Sequence, residues 1–125
     1  MKKYIGRLMN SFTDVNMYRI SEELLKDVFE RQPQVPVTIN FNHNPIGSTK
    51  RFFVQDDAIL CEFEIDETKL PPHLTYAYIV PGLENVESHE ENRVRVIDKG
   101  DLNEVSISTL PANQHLKPIL LKGEK

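Results

Sequence analysis

The chain has 125 residues, of which 39% are hydrophobic and 27% charged, and it carries a formal net charge of −4. This length allows one hydrophobic core and predicts a single domain over residues 1–125, with a composition typical of a soluble globular protein. The acidic balance argues against nucleic-acid binding, no apolar run is long enough to span a membrane as a helix, and a lone cysteine excludes an internal disulfide.

The first predicted elements are a strand over residues 2–9 and, after an irregular stretch, a helix over residues 20–31. Ser21 is a suitable N-cap and is followed by two glutamates, which favour the positive end of a helix dipole. An apolar stripe along this helix predicts that it docks on a larger surface; its members are Leu24, Leu25, Val28 and Phe29. The N-terminus lacks the apolar segment of a signal peptide, so we expect a protein made in a reducing compartment.

From residue 35 the apolar residues recur with a period of two, which predicts half-buried strands. The first of these strands is expected over residues 35–42, before a turn of sequence Asn-Pro-Ile-Gly. Further strands are predicted over residues 48–55, 58–66, 74–80, 93–98 and 102–109. The acidic stretch 82–92 predicts an exposed loop, and the tail 111–125, with two prolines and an apolar run, is expected to dock on a partner or on the core. The fold is therefore predicted to be mainly β (α+β), a small antiparallel barrel or sandwich with one clear helix.

His43 lies between two asparagines at the end of the first of these strands. If the strand continues through Asn42, His43 points to the same side as Phe41, toward the core, where partial burial suits a catalytic base. The alternative is a histidine at a strand end, bonded to a turn carbonyl. Taken alone, the motif favours this second interpretation.

Other reactive side chains give weaker signals. The four histidines (His43, His73, His89 and His115) do not have the spacing of a metal site, so neither a metal nor a cofactor is expected. Glu104, Ser106 and Ser108 share one face of the last strand by alternation, and an ordinary strand with an outward polar face is the simpler interpretation. Cys61 alternates with apolar residues and is expected in the core.

Three blocks in order resemble the prohead (capsid-maturation) serine proteases of tailed bacteriophages, relatives of the herpesvirus assemblins. Residues 35–66, "VPVTINFNHNPIGSTKRFFVQDDAILCEFEID", are similar to the family's strand, catalytic histidine, Pro-Ile-Gly turn and hairpin. "LTYAYIVPG" at 74–82 falls where the family has its nucleophilic serine, and "RVIDKGDLNEVSISTLPAN" at 95–113 is similar to its closing block. The resemblance implies a small β-barrel of the prohead-protease type and a phage or prophage source.

The resemblance places His43 at the catalytic base and Glu104 at the acidic residue that orients it. Thr75 stands where the family has its serine, and Ala77 where it has a glycine. The threonine methyl group restricts χ1 and crowds the approach of a carbonyl. A Cβ at Ala77 obstructs a position where the backbone serves the substrate or an oxyanion, and such damage typically costs ~10²–10³ in rate. The connection before residue 74 is also shorter than is usual in the family.

These departures favour a catalytically inactive auxiliary or decoration protein of the phage capsid. We expect it in the virion or prohead, assembled in the host bacterial cytoplasm, bound to capsid or scaffold protein and homo-oligomeric or capsid-bound. Neither nucleic acid nor a membrane is expected as a partner, and residues 82–92 and 116–121 are the candidate contacts. The alternative is an active maturation endopeptidase with Thr75 as nucleophile, His43 as general base and Glu104 as orienting acid. Less favoured are Ser106 or Ser108 as a replacement nucleophile and a non-viral binding module.

Overall fold

The structure, a computed structural model, describes residues 1–10, 12, 17–56, 58–71, 74, 76–108 and 119–120. Within these residues the chain forms eight strands, one α-helix and one turn of 3₁₀ helix. In chain order they are β1 (Lys2–Asn10), β2 (Tyr18–Ile20), α1 (Glu22–Arg31), β3 (Pro36–Ile39), β4 (Gly47–Gln55), β5 (Ala58–Ile65), the 3₁₀ turn (Glu67–Lys69), β6 (Tyr76–Glu91), β7 (Val94–Ser108) and β8 (Ile119–Leu120). No helix in this described part is long and apolar enough to cross a membrane. Apart from β8, the tail predicted at 111–125 lies outside the described residues.

The strands form one curled sheet in the order β1-β5-β4-β3-β7-β6-β8. Neighbouring strands are antiparallel except that β3 and the short strand β2 both run parallel to β7. The sheet curls into a half-barrel whose concave side holds the core. The predicted class, a mainly-β small barrel with one helix, is confirmed.

Strand β5 forms the centre of the core. Its alternating residues point inward, and Ile59, Cys61, Phe63 and Ile65 are all fully buried. The ring of Phe63 stacks on that of Tyr4 in β1, with 5.8 Å between ring centroids. Burial raises the pKa of the Cys61 thiol to about 12, so this residue is a core side chain, as predicted, and not a thiolate nucleophile.

Helix α1 begins at Ser21 with the capping group that the sequence predicts. Ser21 Oγ accepts a hydrogen bond from the Leu24 N–H at 3.1 Å, and Leu24, Leu25 and Val28 are buried. Phe29, predicted in the same stripe, is instead 42% exposed. At the other end Gln32 adopts a left-handed φ of 48°.

Two predictions for the β6–β7 region were wrong. Residues 82–91 are not a loop but the outer half of β6, and the two strands predicted over 93–98 and 102–109 are one continuous strand, β7. The turn that joins β6 to β7 has only two residues, Asn92 and Arg93, with φ values of 50° and 67°. Such a turn requires positive φ at both positions and matches the twist of a hairpin, so the acidic segment pairs along its length.

Candidate functional site

The predicted site residues belong to segments that meet at one end of the sheet. β7 lies between β3 and β6, so that Ile107 pairs with Ile39 on one side and with Ile79 on the other. The loop carrying His43 leaves β3 at this end, and β6 begins here at Tyr76. Thr75, the predicted nucleophile, lies outside the described residues.

His43 is exposed on the loop between β3 and β4, not half-buried on the core side as one prediction had it. The strand stops at Ile39, two residues before Phe41, because Asn40 and Phe41 adopt left-handed φ values of 48° and 55°. The alternation that would have turned His43 inward therefore ends early. His43 itself has a left-handed φ of 65°. Within the described part of the chain its side chain has no hydrogen-bonding or ionic partner.

The loop is held in place by backbone groups and by one buried hydroxyl. The Asn40 N–H donates to the Ile107 carbonyl at 2.9 Å, and the Phe41 N–H donates to Ser106 Oγ at 2.8 Å. Ser106 is fully buried, so the interpretation that its polar face points outward was wrong for this residue. Its hydroxyl supports the loop, and burial in that role leaves no access for a substrate carbonyl. The serine does not serve as a replacement nucleophile.

Glu104 is half-buried, and its carboxylate is bound within the molecule. Oε2 accepts a hydrogen bond from Thr38 Oγ1 at 2.6 Å, and Thr38 is only 2% exposed. A Cβ added to Gly82 of β6 would lie 2.8 Å from Glu104 Cγ and 3.3 Å from Phe41 Cε1. Gly82, Glu104 and Phe41 therefore pack closely. The sheet thus brings Glu104, Thr38, Phe41 and Ser106 together. No hydrogen bond between described residues joins Glu104 to His43.

Ala77, which replaces the family's glycine, is fully buried in the hydrophobic core. Its register partner is Ile119 of β8, and the preceding residue, Tyr76, pairs with Leu120. The start of β6, next to position 75, therefore has a strand of the C-terminal segment along one edge.

A second polar group, which the sequence did not predict, lies on the outer half of the β6–β7 hairpin. His89 Nδ1 lies 2.5 Å from Asp98 Oδ2 and its Nε2 lies 3.3 Å from Glu91 Oε2, while Arg19 of β2 contacts Glu91 at 3.5 Å. The hydrogen bond to Asp98, and next the one to Glu91, raise the pKa of His89. The sequence signal for this pair was the position of His89 and Asp98 on either side of the turn at Asn92 and Arg93. That signal predicts a contact only once the turn is recognised.

Two surface grooves are lined by described residues outside the predicted site. One of about 490 Å³ runs between α1 and the outer half of the hairpin, and one of about 330 Å³ lies between α1 and the β4–β5 hairpin. Neither His43 nor Glu104 lines them. Among the described residues, which exclude His73 and His115, no group of three side chains of metal-binding type could hold a metal ion.

The sequence matches no protein-family model and no curated protein. Among solved structures, the fold is similar to that of the Kaposi's sarcoma herpesvirus protease in complex with an allosteric inhibitor, with a TM-score of 0.50. The two share 13% sequence identity, and the match covers 96% of this chain and 76% of the protease. The fold is distantly assemblin-like. At this identity the likeness concerns the fold alone.

Proposed function

We propose that this chain is a structural protein of a tailed-phage capsid, one that binds capsid or scaffold protein without cleaving it. The carrying observation is that no hydrogen bond joins the two described site residues. The Glu104 carboxylate is bound to Thr38 at 2.6 Å, while His43 is exposed with no partner among the described residues.

A serine-protease-type site requires the acid to orient the base and the base to reach the nucleophile. Here the acid already has a buried donor. A hydrogen bond to a charged group is worth about 1.5–3 kcal/mol, so this bond holds Glu104 Oε2 at Thr38. Thr75 in place of a serine adds a second obstacle, because its methyl group restricts the hydroxyl.

Two observations support the capsid as the place of action. The sequence blocks around His43, Thr75 and Glu104 resemble those of prohead proteases, and the fold is like that of a viral protease. The outer half of the β6–β7 hairpin, residues 84–93, is exposed throughout and offers an acidic surface for contact with a capsid or scaffold protein.

Cosedimentation with proheads and virions of the source phage tests this proposal. We expect intact protein in the particle fraction, in copies comparable to the coat protein, with coat and scaffold chains uncut. The Thr75→Ala and His43→Ala variants should bind equally well. Failure of the parent to sediment with either particle would contradict the capsid role.

A second candidate is an active maturation endopeptidase, favoured by the likeness to a herpesvirus protease and by the retention of His43 and Glu104. In that case the Thr75 hydroxyl would attack the scissile carbonyl while His43 takes its proton, and His43 would return the proton to the leaving amine. Water would then hydrolyse the acyl-enzyme. Cleavage of coat or scaffold protein that is lost in both Thr75→Ala and His43→Ala would establish this candidate.

A further inference from the structure

The groove of about 330 Å³ lies between α1 and the β4–β5 hairpin, at the end of β4 opposite to the loop that carries His43. We call it the α1–β4 groove. Its volume is near the lower limit of ligand sites, which measure about 300–1,000 Å³. Apolar side chains from both sides line it: Leu25, Phe29, Val54 and Ala58. Phe29 is 42% exposed and Val54 is 53% exposed, so two apolar walls of the groove face solvent.

The edge of β4 beside α1 already binds a side chain in the way that it would bind a strand. Gln32, the C-cap of α1, donates from Nε2 to the Phe52 carbonyl at 2.7 Å and accepts at Oε1 from the Phe52 N–H at 2.7 Å. Alternate residues of a strand direct their backbone groups to the same edge. The N–H and C=O of Val54, two residues further on, therefore point to this edge as well. An exposed strand edge of this kind is a template for an incoming strand.

The charged residues of the α1–β4 groove give it a negative end. Glu22 lies at the start of α1, Asp56 follows the end of β4, and both line the groove. Because the C-terminal end of α1 contacts the middle of β4, the helix and the strand run in opposite directions, and the two carboxylates lie at the same end. Lys26, the cation of the lining, lies 3.9 Å from Glu30, next to it on the helix surface. The negative end favours a lysine or arginine of a ligand.

We propose that the α1–β4 groove binds an extended segment of a partner protein, which adds to β4 as an antiparallel strand and carries an apolar residue two positions after a lysine or arginine. The apolar residue exchanges backbone hydrogen bonds with Val54. Cross-strand partners share a face, so its side chain enters the groove beside Phe29.

The direction of the added strand places the basic residue. In an antiparallel pair, the residue two positions before the partner of Val54 lies opposite Asp56, on the same face and at the negative end. Gln32 already occupies the edge at Phe52, so the pairing ends there. In this mode of recognition the main-chain bonds supply affinity and the side-chain pocket supplies specificity. The proposal goes beyond the proposed function and does not depend on capsid binding or cleavage.

Titration of the isotope-labelled full chain with the peptide acetyl-Lys-Val-Leu-Val-amide, followed by backbone amide chemical shifts, tests the proposal. We expect saturable shift changes along residues 25–29 and 52–56. A methyl group on the leucine nitrogen removes the donor to the Val54 carbonyl and should weaken binding by about tenfold. The same methyl group on the final valine, whose N–H points away from β4, is the matched control and should have little effect. Glutamate in place of the lysine should also weaken binding, because it meets Glu22 and Asp56.

Variants of the chain test the same contacts from the other side. Phe29→Ala removes one wall of the groove. Val54→Pro removes the N–H on the free edge, and proline is tolerated where that N–H faces away from the ladder. Both should bind the peptide about tenfold more weakly than the parent does. Val54→Thr, which keeps the N–H and the branched shape, should bind as the parent does. If circular dichroism shows that Val54→Pro is unfolded, the pair of methylated peptides tests the same edge.

Three results would overturn the proposal. The first is the absence of saturable binding when leucine, isoleucine, methionine and phenylalanine are each tried at the apolar position. The second is binding that neither Phe29→Ala nor the methyl group on the apolar residue weakens. The third is self-association of the parent that Phe29→Ala abolishes, which would make a second copy of the chain the occupant. The peptides contain no capsid component, so this proposal and the capsid role fail independently.

Discussion

The two halves of the β6–β7 hairpin are stabilised in different ways. In the inner half, Ala77, Ile79, Val105 and Ile107 are buried in the core. In the outer half residues 84–93 are exposed, whereas Val96 of β7 is buried, and polar pairs connect the strands to each other and to β2 and α1. These pairs are His89–Asp98, Asn85–Asp101, Arg95–Glu90, Arg19–Glu91 and Arg31–Asp101. Strand β6 therefore belongs to the core at one end and to the surface at the other, and the candidate site lies at the core end.

The largest expected effect comes from removing an apolar side chain of the inner half, and the same change in the outer half is the comparison. Ile107→Ala should lower the free energy of unfolding by about 2–5 kcal/mol, because it leaves a cavity in a fully packed region. Val86→Ala in the outer half should change it by less than about 0.5 kcal/mol, since Val86 is 46% exposed. Urea unfolding of both variants checks this contrast. Equal losses would mean that the outer half is packed against something and is not an exposed arm.

A smaller effect is expected from the polar pair that belongs to the inner half. Thr38→Val removes the hydroxyl that binds Glu104 and leaves a half-buried carboxylate without its donor. The expected loss is about 1.5–3 kcal/mol in urea unfolding, and Thr38→Ser, which keeps the hydroxyl, is the matched control. A valine variant as stable as the parent would show that Glu104 is not held by Thr38 and is free to serve His43.

The smallest effect is a pH dependence in the outer half. The bonds to Asp98 and Glu91 raise the pKa of His89 above its value in the unfolded chain, about 6.5. Stabilisation by His89 is therefore fully present below about pH 6.5 and is lost as the pH rises through the raised folded value. Relative to His89→Gln, the parent should be more stable at pH 5.5 than at pH 8.5. The urea midpoints of the parent and of His89→Gln at the two pH values measure this. A difference between the two proteins that does not change with pH would contradict the hydrogen-bonded network of His89, Asp98, Glu91 and Arg19.

The same contrast explains how much of the fold the sequence could predict. Alternation of apolar residues indicated β5 and the inner half of the hairpin, and the position of Cys61 followed from it. Local capping chemistry indicated the start of α1 at Ser21. Both signals depend on neighbours in the chain. The outer half was missed because residues 84–91 are polar apart from Val86, so that their strand conformation follows from the two-residue turn at Asn92.

Around the candidate site, contacts between residues far apart in the chain determine the local structure, and the sequence pattern did not predict them. The prediction that β3 continues past Asn40 failed because the Ile107 carbonyl and the Ser106 hydroxyl, both on β7, bind the Asn40 and Phe41 amides. Likewise, no local pattern indicated that Thr38 would bind Glu104. The catalytic roles assigned to His43, Thr75 and Glu104 by resemblance stay predictions.

Intact-mass analysis of coat and scaffold proteins is the most direct test of the central claim, that this assemblin-like chain binds without cleaving. The substrates are incubated with the parent, with Thr75→Ala and with Thr75→Ser, the last of which restores the serine of the resembling family. Because Glu104 is bound to Thr38 and His43 has no described partner, the account predicts intact substrate in all three samples. Cleavage at defined bonds by the parent, abolished in Thr75→Ala and maintained or accelerated in Thr75→Ser, would contradict it.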